Sequence, residues 1–116
     1  MDAADIKREI LRDYDKPQYR RKVIPGVEGL RNEDKEEMGN ALEQMTQTKG
    51  WLIVESWIIR NANPQHILQL TDERQRGFVE GEMGIMQKVK AMIAERDDIV
   101  ANRRKEEEAK KEETHE

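Results

Sequence analysis

Apolar residues along this chain recur mainly at the three- and four-residue spacing of α-helices. Near the N-terminus, Ile6, Ile10 and Tyr14 are four residues apart with Leu11 beside them, which predicts a short amphipathic helix. Two longer stretches follow, over residues 32–62 and 65–104, and neither contains an internal proline. The pattern therefore predicts an all-α fold.

The two long helices are predicted to meet in a tight reversal at Asn63 and Pro64. Asn32 can cap the first helix, and Asn63 can cap the second with Pro64 at its first position. We therefore expect a long antiparallel helical hairpin, similar to a coiled coil, over residues 32–104. Residues 1–31 would form the short helix and an extended basic arm. Residues 105–116 would form a charged tail that frays or is disordered.

The first long helix carries apolar residues on two faces. One stripe is predicted to form the core of the hairpin, and it consists of Met38, Ala41, Leu42, Met45, Leu52, Ile53 and Ile59. A separate face carries Trp51, Val54 and Trp57. A single antiparallel partner cannot cover both faces, so a lone hairpin would leave the tryptophans in water.

The second long helix repeats apolar residues every seven positions in two columns, which are Phe78, Ile85, Met92, Ile99 and Val79, Met86, Ile93, Val100. This spacing predicts packing along another helix for several turns. Gly77, Gly81 and Gly84 lie beside the columns. Because glycine weakens a helix, three of them on one side predict the close approach of a backbone or a bulky ring. The tryptophan rings are candidates.

Burial shared between copies of the chain would cover these surplus apolar faces. We therefore predict a homo-oligomer, or an assembly with other proteins, with an interface made of Trp51, Val54, Trp57, Gly77, Gly81, Gly84, Met92 and Ile99. The alternative is a monomeric three-helix bundle in which the N-terminal helix packs over the tryptophan face.

Composition agrees with economical or shared burial. The chain has 116 residues, of which 40% are charged and 35% hydrophobic, too few apolar residues for a thick core. It contains no cysteine, which excludes disulfides and thiolate chemistry. Its apolar runs are too short for a membrane span or a signal peptide, so we expect a soluble protein with no membrane role.

No motif predicts catalysis, a cofactor or a metal site. The two histidines, His66 and His115, fall at the reversal and in the charged tail, and no glycine-rich phosphate loop follows a strand. A diiron site would need Glu followed by His three residues later, and this pair is absent. We expect no enzyme activity, cofactor, metal or small-molecule substrate.

One stretch combines basic and aromatic side chains and could bind a phosphate backbone or an acidic groove of a partner protein; its candidate residues are Arg12, Lys16, Tyr19, Arg20, Arg21 and Lys22. Asp13 and Asp15 dilute its charge, and the net charge of -4 argues against a surface built for nucleic acid. A solvated linker is the simpler interpretation. The alternative function is a nucleic-acid-associated packaging or regulatory subunit.

The helix "KGWLIVESWIIRNA" is followed by "GFVEGEMGIMQKVKAMIAERDDI", with Trp51, Leu52, Gly77 and Gly81 at characteristic positions. Over residues 49–99 this pattern resembles small helical-hairpin structural proteins of tailed bacteriophages and prophages. The resemblance implies a multi-copy virion component, such as a capsid accessory, head-to-tail part or scaffold, that is assembled in the host cytoplasm and has no enzyme activity. A further hypothesis, a toxin-neutralising or host-takeover protein, has no motif behind it.

Overall fold

The computed structural model describes residues 2–12, 29–70 and 72–114. This part of the chain contains five helices, α1 (Ala3–Leu11), α2 (Asn32–Thr46), α3 (Lys49–Asn61), α4 (Pro64–Gln69) and α5 (Glu73–Thr114). It contains no strand, so the predicted all-α class is confirmed. The molecule is elongated, 67 × 27 × 22 Å, because α5 alone is about 63 Å long at 1.5 Å per residue.

The first helix, α1, is the predicted short amphipathic helix. The Asp2 carboxylate caps it by accepting a hydrogen bond from the Asp5 backbone N–H at 2.9 Å. Ile6 and Ile10 are buried, and α1 packs against α3 and α5. Gln87 Nε2 donates to the Ile10 carbonyl at 2.9 Å, which fastens the end of α1 to α5.

The prediction of one continuous helix over residues 32–62 is wrong, because the helix is interrupted at Gln47 and Thr48. Thr48 has an extended backbone, with φ -81° and ψ 152°. Its hydroxyl donates to the Met45 carbonyl at 2.7 Å and accepts from the Trp51 backbone N–H at 3.2 Å. One side chain thus closes α2 and caps α3. At the start of α2 the N-cap is Arg31, not Asn32.

The predicted Asn63 cap and helix start at Pro64 are confirmed, but the predicted second helix is also interrupted. Asn63 Oδ1 accepts from the Gln65 backbone N–H at 3.0 Å, and Pro64 begins α4. The short α4 ends at Gln69, and the Asp72 carboxylate then accepts from the Arg74 backbone N–H at 2.9 Å at the start of α5. Helix α5 runs to Thr114, whereas we expected the chain to fray from residue 105.

Charged side chains join α2 to α5. Glu36 accepts two hydrogen bonds from Arg103, at 2.8 and 3.0 Å, and Glu43 pairs with Arg96. Partners that come later in α2 therefore come earlier in α5. The sequence midpoint of both pairs lies between Gln69 and Leu70, because α4 and the residues after it lengthen the connection from α3 to α5. The molecule is therefore not a pair of rods meeting at Pro64.

Gly39 allows α2 to approach α5 closely. It is buried even though α2 is rich in charged residues. A Cβ at this position would overlap the side chain of Arg96 and lie 3.2 Å from the Met92 carbonyl oxygen. Contact between these helices therefore depends on the absence of a side chain at one position.

The apolar core lies between α1, α3 and the first half of α5, and its buried members are Ile6, Ile10, Trp51, Ile58, Ala62, Val79, Met86 and Val89. The seven-residue column that contains Val79 and Met86 is therefore internal, as predicted. The stripe predicted on the first long helix is largely outside, since Met38, Ala41, Leu52 and Ile53 are exposed. A single stripe cannot extend from α2 into α3, because the break at Gln47 and Thr48 interrupts the helical repeat.

Candidate interaction surface

Trp51 belongs to the core and not to an interface. Its side chain is buried, and its Nε1 donates to Glu55 Oε2 at 3.0 Å. The other oxygen of Glu55 accepts from Lys7 Nζ at 2.6 Å, which ties the indole to α1. Ile6 and Ile10 of α1 belong to the same apolar cluster. For this tryptophan, the arrangement is the one that the three-helix alternative predicts.

Trp57 points away from the core, and 58% of it is exposed. Six residues along a helix turn the side-chain direction by about 600°, so the rings of Trp51 and Trp57 point about 120° apart. The prediction of one face for both rings is therefore wrong. Val54, which is 37% exposed, accompanies Trp57 on the outside.

Four exposed apolar side chains lie on the adjoining helices α3 and α5, and we call this set the apolar surface: Val54, Trp57, Phe78 and Ile85. Asn61 Nδ2 of α3 donates to Glu82 Oε2 of α5 at 3.1 Å, which marks the line where the two helices meet. The α3 members come four and seven residues before Asn61, and the α5 members come four before and three after Glu82. Helical spacing therefore places all four along this line.

Two members of this surface come from a column whose seven-residue spacing predicts packing along another helix. Phe78 is 74% exposed and Ile85 is 55% exposed. Helix α2 covers the continuation of their column beyond Lys90, and α3 then packs on the neighbouring column of Val79 and Met86. In the first half of α5, the described helices therefore cover only one of the two columns.

The glycines beside Phe78 and Ile85 face open space in the described part of the chain. A Cβ at Gly77, Gly81 or Gly84 would meet no atom within 4 Å outside its own helical turn. Among the described residues of one subunit, no ring or backbone makes the predicted close approach to these glycines.

Met92 and Ile99, which were also predicted at the interface, differ in burial. Met92 is 1% exposed and packs against Leu42 of α2, so it is a contact within the subunit. Ile99 is half-buried and lines a groove at the start of α2, and its predicted contact with a partner stays a prediction.

Ion pairs hold α2 on α5, and the apolar pattern did not predict them. The side chain of Arg96 is mostly buried and donates to Asn40 Oδ1 at 2.9 Å as well as to Glu43. The hydrogen bond to Glu43 raises the pKa of Arg96, while burial acts in the opposite direction. The pKa of Arg103 is also raised, mainly by its hydrogen bonds to Glu36. Both guanidinium groups therefore remain charged.

The described surface has shallow grooves in which the carboxylates already have partners. A groove of about 340 Å³ runs between α1 and α3, and its floor includes Trp51, Met86, Val89 and Ile93. At its rim Glu55 pairs with Lys7, and Glu43 pairs with Arg96. Among the described residues no three His, Asp or Glu side chains are grouped as metal ligands. None of the described helices is long and apolar enough to span a bilayer.

Most of the predicted basic arm lies outside the described residues, namely Lys16, Tyr19, Arg20, Arg21 and Lys22. Arg12 is described, and it follows the last residue of α1. Its guanidinium forms an ion pair with Glu9 at 2.8 Å, so the one described member of the arm is engaged within α1.

Comparisons with protein-family models, curated proteins and solved structures found no match to this chain. The apolar surface is consequently the feature from which a function can be argued.

Proposed function

We propose that this protein is a non-enzymatic assembly component that self-associates through the apolar surface. The observation that carries the proposal is the grouping of four exposed apolar side chains on two helices whose relative position is fixed by Asn61 and Glu82. Large apolar patches on soluble proteins mark interaction sites, and scattered single exposed residues do not. A surface on helices is also a rigid one, which lowers the entropic cost of docking.

The two aromatic members provide most of the proposed binding energy. Trp57 and Phe78 are both more than half exposed, and aromatic side chains bury the largest areas at interfaces. Tryptophan is also enriched among the residues whose truncation weakens complexes most. The substitution of these two residues should therefore have the largest effect on assembly.

The narrower form of this proposal is a multi-copy bacteriophage virion component, such as a capsid accessory, head-to-tail part or scaffold. It rests on the resemblance of residues 49–99 to helical-hairpin virion proteins. A virion component must recognise copies of itself or neighbouring virion proteins, and an exposed apolar surface suits that role.

The test measures mass in solution across micromolar concentrations by gel filtration with light scattering. The wild-type protein should be oligomeric, and the double substitution Trp57→Ser with Phe78→Ser should give the single-chain mass with unchanged helix content by circular dichroism. Leu52→Ser is the matched control, because Leu52 is 55% exposed but does not belong to the apolar surface. It should remain oligomeric.

A wild-type protein that has the single-chain mass at all these concentrations would rule out self-association. Tight binding to DNA that weakens steeply with salt would instead support the nucleic-acid alternative, provided that alanine substitution of Arg12, Lys16, Arg20, Arg21 and Lys22 abolishes it.

A further inference from the structure

The open half of α5 continues an interface that already exists in the molecule. Ile85 is followed at seven-residue spacing by Met92 and Ile99, and α2 covers this column where Gly39 meets Met92. Towards the N-terminus of α5 the same column emerges from under α2 and exposes Ile85 and Phe78. Seven-residue apolar spacing suits helix–helix packing, so the occupant of this open stretch should itself be a helix.

We infer that the occupant is the same stretch of α5 from a second copy, in antiparallel orientation, with Phe78 of each copy against Ile85 of the other. This inference rests on the proposed self-association and specifies its geometry. A two-fold axis would pass between Gly81 and Glu82, so each copy would contribute the same surface. The open space at Gly81 leaves room for the close approach of the two helices near that axis.

The position of α2 favours the antiparallel orientation. In each copy α2 lies along α5, with Gly39 at Met92 and Arg96 and with the last turn of α2 beside the groove that contains Val89 and Lys90. Two parallel α5 helices in register would bring both α2 helices into the same space. In the antiparallel pair, Glu73 at the start of one α5 lies level with Lys90 of the other, so only the first turn of that α5 reaches the partner's α2.

In the same geometry, the apolar surface residues of α3 would also contact the second copy. The hydrogen bond from Asn61 to Glu82 sets the relative height of the two helices, and Trp57 is therefore at about the height of Met86. Phe78 of the second copy lies opposite Ile85, one residue away in height. Trp57 of one copy would then pack beside Phe78 of the other, an aromatic pair repeated twice by the symmetry.

Cysteine cross-linking tests this geometry, because the chain contains no cysteine of its own. Gly81→Cys should form a disulfide-linked dimer efficiently, since its two copies lie beside the two-fold axis. Phe78→Cys and Ile85→Cys, refolded together and then oxidised, should cross-link to each other. Phe78→Cys alone should not, because seven residues, about 10 Å of helix, separate its two copies along the axis. Leu52→Cys is the exposed control away from the surface.

The outcomes separate this inference from the proposed function. Efficient cross-linking of Phe78→Cys to itself would indicate a parallel pair and overturn the inference. If the Trp57 and Phe78 double substitution dissociates the protein but no α5 cysteine cross-links above the Leu52→Cys level, the apolar surface mediates assembly by another geometry. A single-chain mass for the wild type would overturn both the inference and the proposed function.

Discussion

The two halves of α5 share one apolar repeat but are covered in different ways. From Met92 to Arg103, α2 lies close to α5 at Gly39 and is held by ion pairs at Glu36 and Glu43. In the first half of α5, α1 and α3 cover only the column of Val79 and Met86, and the neighbouring column stays exposed. Seven-residue spacing therefore indicates that a helix has partners, but does not specify how many of them belong to the same chain.

The largest expected effect on stability comes from substitutions in the first half of α5. Met86→Ala should lower the free energy of unfolding by about 2 to 4 kcal/mol, because Met86 is 3% exposed and its loss leaves a cavity. The adjacent Ile85→Ala should change it by less than about 0.5 kcal/mol, since Ile85 is exposed. Urea denaturation at a concentration where the protein is dissociated measures both. Equal losses would show that Ile85 is internal to one subunit.

Alanine substitution should change the stability in opposite directions at two glycines, by less than the effect of Met86→Ala. Gly39→Ala should destabilise the protein by about 1 to 3 kcal/mol, because the added methyl group overlaps Arg96 and forces α2 away from α5. Gly81→Ala meets open space and should stabilise the dissociated subunit by up to about 1 kcal/mol through helix propensity. Thermal unfolding of the two variants under identical conditions measures the difference. A stabilised Gly39→Ala variant would contradict the close packing of α2 on α5.

A still smaller effect is expected when the salt concentration is raised. Raising the salt concentration to about 1 M screens charges beyond about 3 Å, so amide hydrogen exchange should accelerate in α2 more than in α3. Glu43→Gln should reduce this difference, because it removes one of the ion pairs. Equal acceleration in both helices would show that the ion pairs contribute little to the docking of α2.

Alkaline pH should affect those ion pairs less than salt does. The pKa values of Arg96 and Arg103 are raised in the folded state, so the corresponding stabilisation is present below the ordinary arginine pKa and is lost only above it. From neutral pH to moderately alkaline pH, these two groups therefore contribute a constant stabilisation.

Local signals in the sequence were sufficient for the helical class, the amphipathic α1 and the Asn63 cap with the helix start at Pro64. Each depends on residues that are close together along the chain, such as the Asn63 side chain and the Gln65 backbone N–H. The break at Thr48 is not evident from the sequence, because a single hydroxyl makes it in a segment that has no proline and keeps its apolar spacing. Residues 105–114 were expected to fray because the support from Glu and Lys pairs is small, yet α5 includes them.

The apolar surface was only partly predictable. Val54 and Trp57 were placed at an interface because their face lacked a partner within a simple hairpin. The exposure of Phe78 and Ile85 within one chain is not predictable from the sequence, because periodicity alone does not show that α3 leaves the line of α2. The assignment of Trp51 failed for a geometric reason, since six residues of helix separate it from Trp57 by too large an angle to share a face.

The interruption at Gln47 and Thr48 also has a consequence for how this protein can evolve. A chain that remained helical through these two positions would carry α3 onward in the direction of α2, over Phe78 and Ile85, and would uncover Val79 and Met86 instead. Two substitutions could thus exchange the buried and the exposed apolar columns of α5 while leaving the amino-acid composition almost unchanged. Homologues with a strong helix former in place of Thr48 should therefore recognise different neighbours.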